Sequence, residues 1–245
     1  MRLLLPALLL FPLLPFPPAA SAQTETLELG GHLGSRPALL VIHASRVPEG
    51  EWRIAGEYIV LTTLQRRFLE GEASPQIRVT TLREGTSPIL FGRSPSGELR
   101  GTWKGTTFRG ARYAPGGQER ERFEFSEEFP SLEKYSANVR CDAGDARYTS
   151  SLNLAVEAGK LQSLEWRSKV AGSEHTCSVA NLQQQPAKAG LLFTSGKCGV
   201  ALREVGEYVW LSSTDCAEQC GSQAYLEPMV IDRRGYCRLL RPEAK

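Results

Sequence analysis

The chain predicts an all-β protein: two antiparallel β domains, each a small barrel or sandwich, the second stapled by disulfides. Three observations carry this reading. Apolar and polar residues alternate with period two along most of the chain, the mark of half-buried strands. Clusters of Gly, Pro, Asp and Ser punctuate the alternation at near-regular intervals. Six cysteines, an even number, all fall at position 141 or beyond.

The first 22 residues stand apart. Arg2 precedes an apolar run over 3–14, prolines follow at 12, 15, 17 and 18, and Ala20, Ser21 and Ala22 close the segment. A charged start, a short apolar centre and small residues at the end describe a secretory signal peptide, which gives a mature chain starting at Gln23. The run is shorter than the ~20 apolar residues a bilayer span requires, and its prolines spoil a spanning helix. No later stretch is apolar for long enough. The expected location is periplasmic or secreted, with no membrane span.

The elements follow in order. Leu27 and Leu29 open the first domain, expected over 23–130. Strands are predicted over 37–43, 53–61, 76–82, 101–103 and 122–125. The separators at 48–50, 84–88, 94–97 and 115–117 carry turn chemistry. Residues 64–70 fit a short helix or a strand. Acidic residues and Pro130 interrupt the pattern over 127–134, which places the domain boundary near 131. The second domain, 131–245, is predicted to hold strands over 136–141, 148–156, 161–170, 174–182, 191–194, 198–204, 208–212, 223–231 and 236–240. A turn is expected at 142–145, a hairpin at 157–160 and a polar loop at 183–188. Trp52, Trp103, Trp166 and Trp210 each sit in a strand-like run and are expected in the core.

Cys141, Cys177, Cys198, Cys216, Cys220 and Cys237 are read as three disulfides, because an exported chain meets an oxidising compartment. Six cysteines allow 15 connectivities. Joining neighbouring strands of an up-and-down sheet predicts sequential pairing, Cys141 with Cys177, Cys198 with Cys216, and Cys220 with Cys237. The rival reading takes Cys216, Cys220 and Cys177, with His175, as zinc ligands. Structural zinc sites show two tight ligand pairs, and here there is one C-x₃-C and no second. No metal or other cofactor is expected.

The first half, over residues 26–126, resembles a recurring small β domain of exported bacterial envelope proteins. The marks are Gly30-Gly31-His32-Leu33-Gly34, Gly56-Glu57-Tyr58, Leu69-Glu70-Gly71, Leu82-Arg83-Glu84 and Leu99-Arg100-Gly101-Thr102-Trp103. The resemblance implies a fold and a compartment and brings no activity with it. The second half, through Cys198, Cys216-Ala217-Glu218-Gln219-Cys220-Gly221 and Cys237, is similar to cysteine-rich periplasmic domains of proteobacteria, some of which are lysozyme inhibitors. One kind of inhibitor carries a Ser-Gly-x-x-Tyr loop. This chain has Ser195-Gly196-Lys197-Cys198-Gly199 in its place, so no inhibitory residue carries over.

Function is bounded mainly by exclusion. A net charge of +2 with 29 basic and 27 acidic residues argues against a nucleic-acid partner, which calls for a basic face. Gly-x-Ser-x-Gly is missing. The thiols have a structural use, and His32, His43 and His175 are far apart. The Glu119-Arg120-Glu121-Arg122 run reads as a solvated strand or turn, and Asp142 with Asp145 as a plain turn rather than a cation loop. The expectation is a non-catalytic protein that binds a protein or other macromolecule of the envelope or the extracellular space, with a lysozyme-inhibitor-like role as one concrete version. A small secreted hydrolase using paired carboxylates, and a structural or assembly component of the envelope, remain as alternatives.

Overall fold

The computed structural model describes residues 24–46, 52–73, 79–87, 95–187, 189–221 and 225–240. The segment expected to be a signal peptide, the turn expected at 48–50 and the opening of the 76–82 strand lie outside them. The regular structure of the described chain is almost entirely antiparallel strand, as the alternation predicts.

Eight strands form a closed meander barrel: β1 (Thr24–Leu33), β2 (Arg36–Arg46), β3 (Trp52–Val60), β4 (Gln65–Ala73), β5 (Val79–Gly85), β6 (Gly97–Lys104), β7 (Thr107–Tyr113) and β8 (Glu119–Ser126). Each strand pairs with its neighbours in sequence. Closure comes from residues 30–33 of β1 against residues 123–126 of β8. Inward positions alternate along every strand, and Leu29, Leu40, Leu69, Leu82, Leu99, Phe108, Phe123 and Phe125 form one core. Room for the aromatic rings comes from inward glycines. A Cβ on Gly101 would lie 2.7 Å from Phe108 and 2.8 Å from Phe123.

Three points of the sequence reading are settled or changed here. Of the helix and strand readings of 64–70, strand holds: Leu64, at positive φ, leads into β4, which opens at Gln65. Strand β7 carries Gly110 at an inward position, which removes an apolar residue from the alternation and hides the strand from a period-two reading. Trp103 is half-buried, stacking on Phe108 with ring centroids 4.8 Å apart, and Trp52 is half-buried as well. Trp166 and Trp210 are in the core as expected.

Residues 127–136 lead from the barrel to a β-sandwich. One sheet has the order β12-β11-β10-β9, built from β9 (Ala137–Asp145), β10 (Tyr148–Glu157), β11 (Lys160–Val170) and β12 (Thr176–Ala180). The other runs in sequence order through β13 (Gln183–Gln185), β14 (Leu191–Ser195), β15 (Cys198–Val205), β16 (Tyr208–Thr214), β17 (Met229–Asp232) and β18 (Cys237–Leu239). The two inner faces share one core that includes Leu154, Trp166, Phe193, Val200, Leu202, Leu211 and Met229. The β10–β11 hairpin turns on Ala158 and Gly159, both at positive φ. The 142–145 segment continues β9 instead of turning. The turn comes one step later, where Asp145 Oδ1 accepts from the backbone N–H of Arg147 (2.7 Å) and Tyr148 (2.9 Å). The polar loop at 183–188 contributes the short edge strand β13, and residues Ala217–Cys220 make a single helical turn, α1.

The disulfides pair Cys141 with Cys237, Cys177 with Cys220 and Cys198 with Cys216. Sequential pairing holds for Cys198 and Cys216 and fails for the other four, because the strands do not form one continuous meander. The chain leaves β12 at one edge of the first sheet and enters β13 in the second through Asn181 and Leu182. This brings the far edges together, and Cys141 on β9 meets Cys237 on β18. One side of the sandwich is thus joined by the chain and the other by a disulfide. By chain entropy, a bridge spanning 96 residues contributes about 4.7 kcal/mol.

The six-stranded sheet is covered on its outer face too. Val205, Tyr208, Trp210, Val230 and Leu240 pack on Leu39, Ile59 and Leu61 of the barrel wall, with Phe129 of the connecting segment beside them. Residues 208–212 of β16 are buried without interruption, as a strand with both faces covered should be. Charged groups rim this contact. Arg203 pairs with Glu28 at 2.6 Å and lies over the rings of Phe129 and Trp210. Arg238 donates to the carbonyl of Leu61 at 2.7 Å, and Arg66 donates to that of Leu240.

Candidate functional site: a braced loop and the cleft beside it

The turn between β17 and β18 reads Asp232-Arg233-Arg234-Gly235-Tyr236 before Cys237. Asp232 organises it. Its Oδ1 accepts from the backbone N–H of Arg234 (2.8 Å) and Tyr236 (3.0 Å). Its backbone N–H donates to the Tyr236 carbonyl at 3.0 Å, and its carbonyl accepts from Gly235 at 2.9 Å. Gly235 sits at φ 83°, where a side chain would be strained. The Cys237–Cys141 bridge then fixes the loop to β9. The result is a short loop with its backbone bonds made internally and one end covalently anchored.

What the loop presents is unusual for this surface. Tyr236 is 67% exposed, more than any other large apolar side chain among the described residues, and only Tyr225 is also counted as exposed. Arg233 and Arg234 are exposed and make no ion pair among the described residues. Tyr and Arg are the residue types that anchor protein interfaces, and holding them on a rigid loop lowers the ordering cost of binding.

A cleft of about 490 Å³ opens beside the loop, with Arg233 and Arg234 on one wall and Tyr135, Asn138, Glu204 and Glu207 on the others. Burial raises the pKa of Tyr135, and the nearby Glu204 raises it further. Its hydroxyl therefore stays protonated at neutral pH and can donate. The cleft places carboxylates, guanidinium groups and a phenol within reach of one bound segment.

Among the described residues, the acid most withdrawn from water lies elsewhere, in the barrel. Glu84 of β5 is fully buried, although its sequence context reads as a turn. Arg112 binds it through Nε (2.7 Å) and Nη2 (2.9 Å), Arg67 Nε lies at 3.2 Å, Tyr58 donates at 2.9 Å and Ser96 Oγ at 3.2 Å. Burial alone would raise its pKa, but the hydrogen bonds from Arg112 and Tyr58 and the charges of Arg112 and Arg67 outweigh it and hold the carboxyl below its ordinary value. Burial and Glu84 push the Tyr58 phenol up. Both carboxylate oxygens are occupied, so this cluster is a structural brace.

The other residues singled out from the sequence do not converge. His32 bonds the Gly34 carbonyl, His43 bonds Thr26, and His175 is exposed on the segment before β12. All six cysteines are disulfide-bonded. No cluster of three metal-ligating side chains occurs among the described residues, nor does any helix long and apolar enough to cross a membrane. Sequence reasoning missed the loop, whose one signal was an Asp-x-x-Gly turn one residue before a cysteine. Comparison with protein-family models, curated proteins and solved structures finds no match.

Proposed function

We propose that this is a non-catalytic binding protein of the periplasm or the extracellular space, and that it engages another macromolecule of that setting with the Asp232–Cys237 loop and the adjoining cleft. Three disulfides fit an oxidising compartment outside the cytoplasm. The single observation behind the binding role is the loop itself: two exposed arginines with no ion pair among the described residues and the most exposed tyrosine, held by Asp232 and by the bridge to Cys141.

A lysozyme-inhibitor-like role is the concrete version. Purified protein titrated into assays of several lysozyme types is expected to inhibit at least one, and the variant R233E/R234E/Y236A to lose inhibition at least tenfold. Absence of inhibition at micromolar protein removes this version. The broader reading is tested by capture from an envelope extract with the wild-type and triple-variant proteins as bait. A protein retained by the first and lost with the second supports it, and identical retention by both refutes it.

A second reading draws on the same cleft. Glu204 and Glu207 line it together, and a small hydrolase using paired carboxylates would find its acid and base there. Glycan hydrolysis by the wild type that is lost in E204Q/E207Q would favour it. Equal release of products by both proteins, or by neither, would not.

A further inference from the structure

A second surface, on different strands, has the chemistry of a ligand site. The outer face of the β9–β12 sheet is polar and regular. Cross-strand register sets two parallel rows on it. In one, Lys169 stands between Thr149 and Thr176, and in the other, Arg167 stands between Ser151 and Ser178. Each cation is thus flanked on both sides by hydroxyls at the ~4.8 Å spacing of neighbouring strands, and the two rows are ~6.8 Å apart along the strand. Lys169, Arg167, Thr149, Thr176 and Ser178 are exposed. Lys169 makes no ion pair among the described residues, while Arg167 pairs with its neighbour Glu165.

A groove of about 530 Å³ runs over these rows and is also lined by Asp142. Asp142 faces Ser151, and Gly144 takes the corresponding place beside Thr149, so the Lys169 row is open where the Arg167 row carries an acid. Other charged groups on this face include Arg140 on β9, Glu165 on β11 and, at the hairpin end, Glu157 and Lys160. The face is stiff before anything binds: its underside is packed through Trp166, Leu152 and Leu154. Its two edge strands are tied by Cys141–Cys237 and Cys177–Cys220.

We infer that this groove binds an anionic saccharide chain. Lys169 and Arg167 take the negative groups, the flanking hydroxyls bond ring and anionic oxygens, and Asp142 accepts from sugar hydroxyls. A bare inorganic anion would have no use for Asp142. A neutral saccharide would call for an aromatic stacking surface, and no aromatic side chain stands in either row.

Affinity electrophoresis of the full mature chain tests this, with polygalacturonate, neutral dextran or no polymer in the gel. The wild type is expected to be retarded by polygalacturonate and not by dextran. R167S/K169S should weaken the retardation at least tenfold. T149V/T176V, which keeps every charge, should weaken it at least threefold, and R109S/R122S, which removes two cations from the barrel wall, should leave it within twofold of wild type. The inference fails if the wild type is not retarded or if T149V/T176V behaves as wild type. It also fails if R109S/R122S weakens binding as much as R167S/K169S, or if inorganic phosphate displaces the polymer at equal anion concentration.

Discussion

Replacing Glu84 with Gln tests whether the buried acid in the barrel is the brace its contacts describe. The substitution keeps the side-chain shape and removes the charge. It also turns one acceptor oxygen into an NH₂ group that faces the donors of Arg112, Arg67 or Tyr58. Breaking a buried ion pair by removing one partner costs about 3–5 kcal/mol, because the other charge is left uncompensated. Here Glu84 is fully buried, while Arg112 keeps 21% and Arg67 24% of its side-chain exposure. Water can partly take over the arginines, which places the expected loss at the lower end, about 3 kcal/mol. Guanidinium unfolding followed by tryptophan fluorescence and far-ultraviolet circular dichroism measures it. The pH dependence supplies a second readout. Because the folded-state pKa of Glu84 lies below the ordinary value of 4.5, its contribution is fully present above pH 4.5 and is lost as pH falls through the folded value. The gap between wild type and E84Q should therefore be constant from neutral pH to about 5 and close in more acidic solution. A loss under about 1 kcal/mol, the range of exposed ion pairs, or a gap that persists at low pH, would refute the assignment.

Two further outcomes follow from the sandwich. C141S/C237S should destabilise it more than C198S/C216S, by about 4.7 against 3.2 kcal/mol from the closed-loop lengths of 96 and 18 residues; the reverse order in denaturant unfolding would contradict the seam role given to the first bridge. Trp166→Phe should cost about 1–2 kcal/mol more than Trp210→Phe. The Trp166 indole N–H donates to Ser150 Oγ at 2.9 Å, whereas that of Trp210 is buried with no acceptor among the described residues. Equal losses in thermal unfolding would overturn this difference.

Much of the fold was legible because the alternation that marks a strand in sequence is the same alternation that separates core from solvent in a one-layer sheet. Leu152, Leu154 and Val156 of β10 show this directly, each followed by a more exposed neighbour. The rule failed where a side chain was missing from its inward place, as at Gly110. Nor could it show that the continuous apolar run of β16 faces a barrel on one side and a sandwich core on the other. Cysteine pairing was misread for a different reason. Nothing local to Asn181 announces that the chain there changes sheet, and that one step decides which edges meet. The candidate site was harder still. Asp232 and Gly235 signal a turn, but the exposure of Tyr236 depends on how far the hairpin projects past β9. Glu84 stood out only as part of the Leu82-Arg83-Glu84 mark and of a turn separator; nothing announced its burial, because Tyr58, Arg67 and Arg112 reach it from three other strands.

The barrel seam has a consequence for biosynthesis. Every barrel strand except the first can pair with a neighbour already made. Strand β1 can take β2 at once, but its other edge must wait for residues 123–126, about 90 residues later, or roughly 5–18 s at ~5–20 residues per second. During that interval seven strands are an open sheet with an unsatisfied edge at each end. Even in the closed barrel, residues 24–29 pair with a strand on one side only among the described residues. Glu25 and Glu28 sit along that stretch, Glu28 paired with Arg203 of β15, and they place charge where another chain's strand would otherwise add.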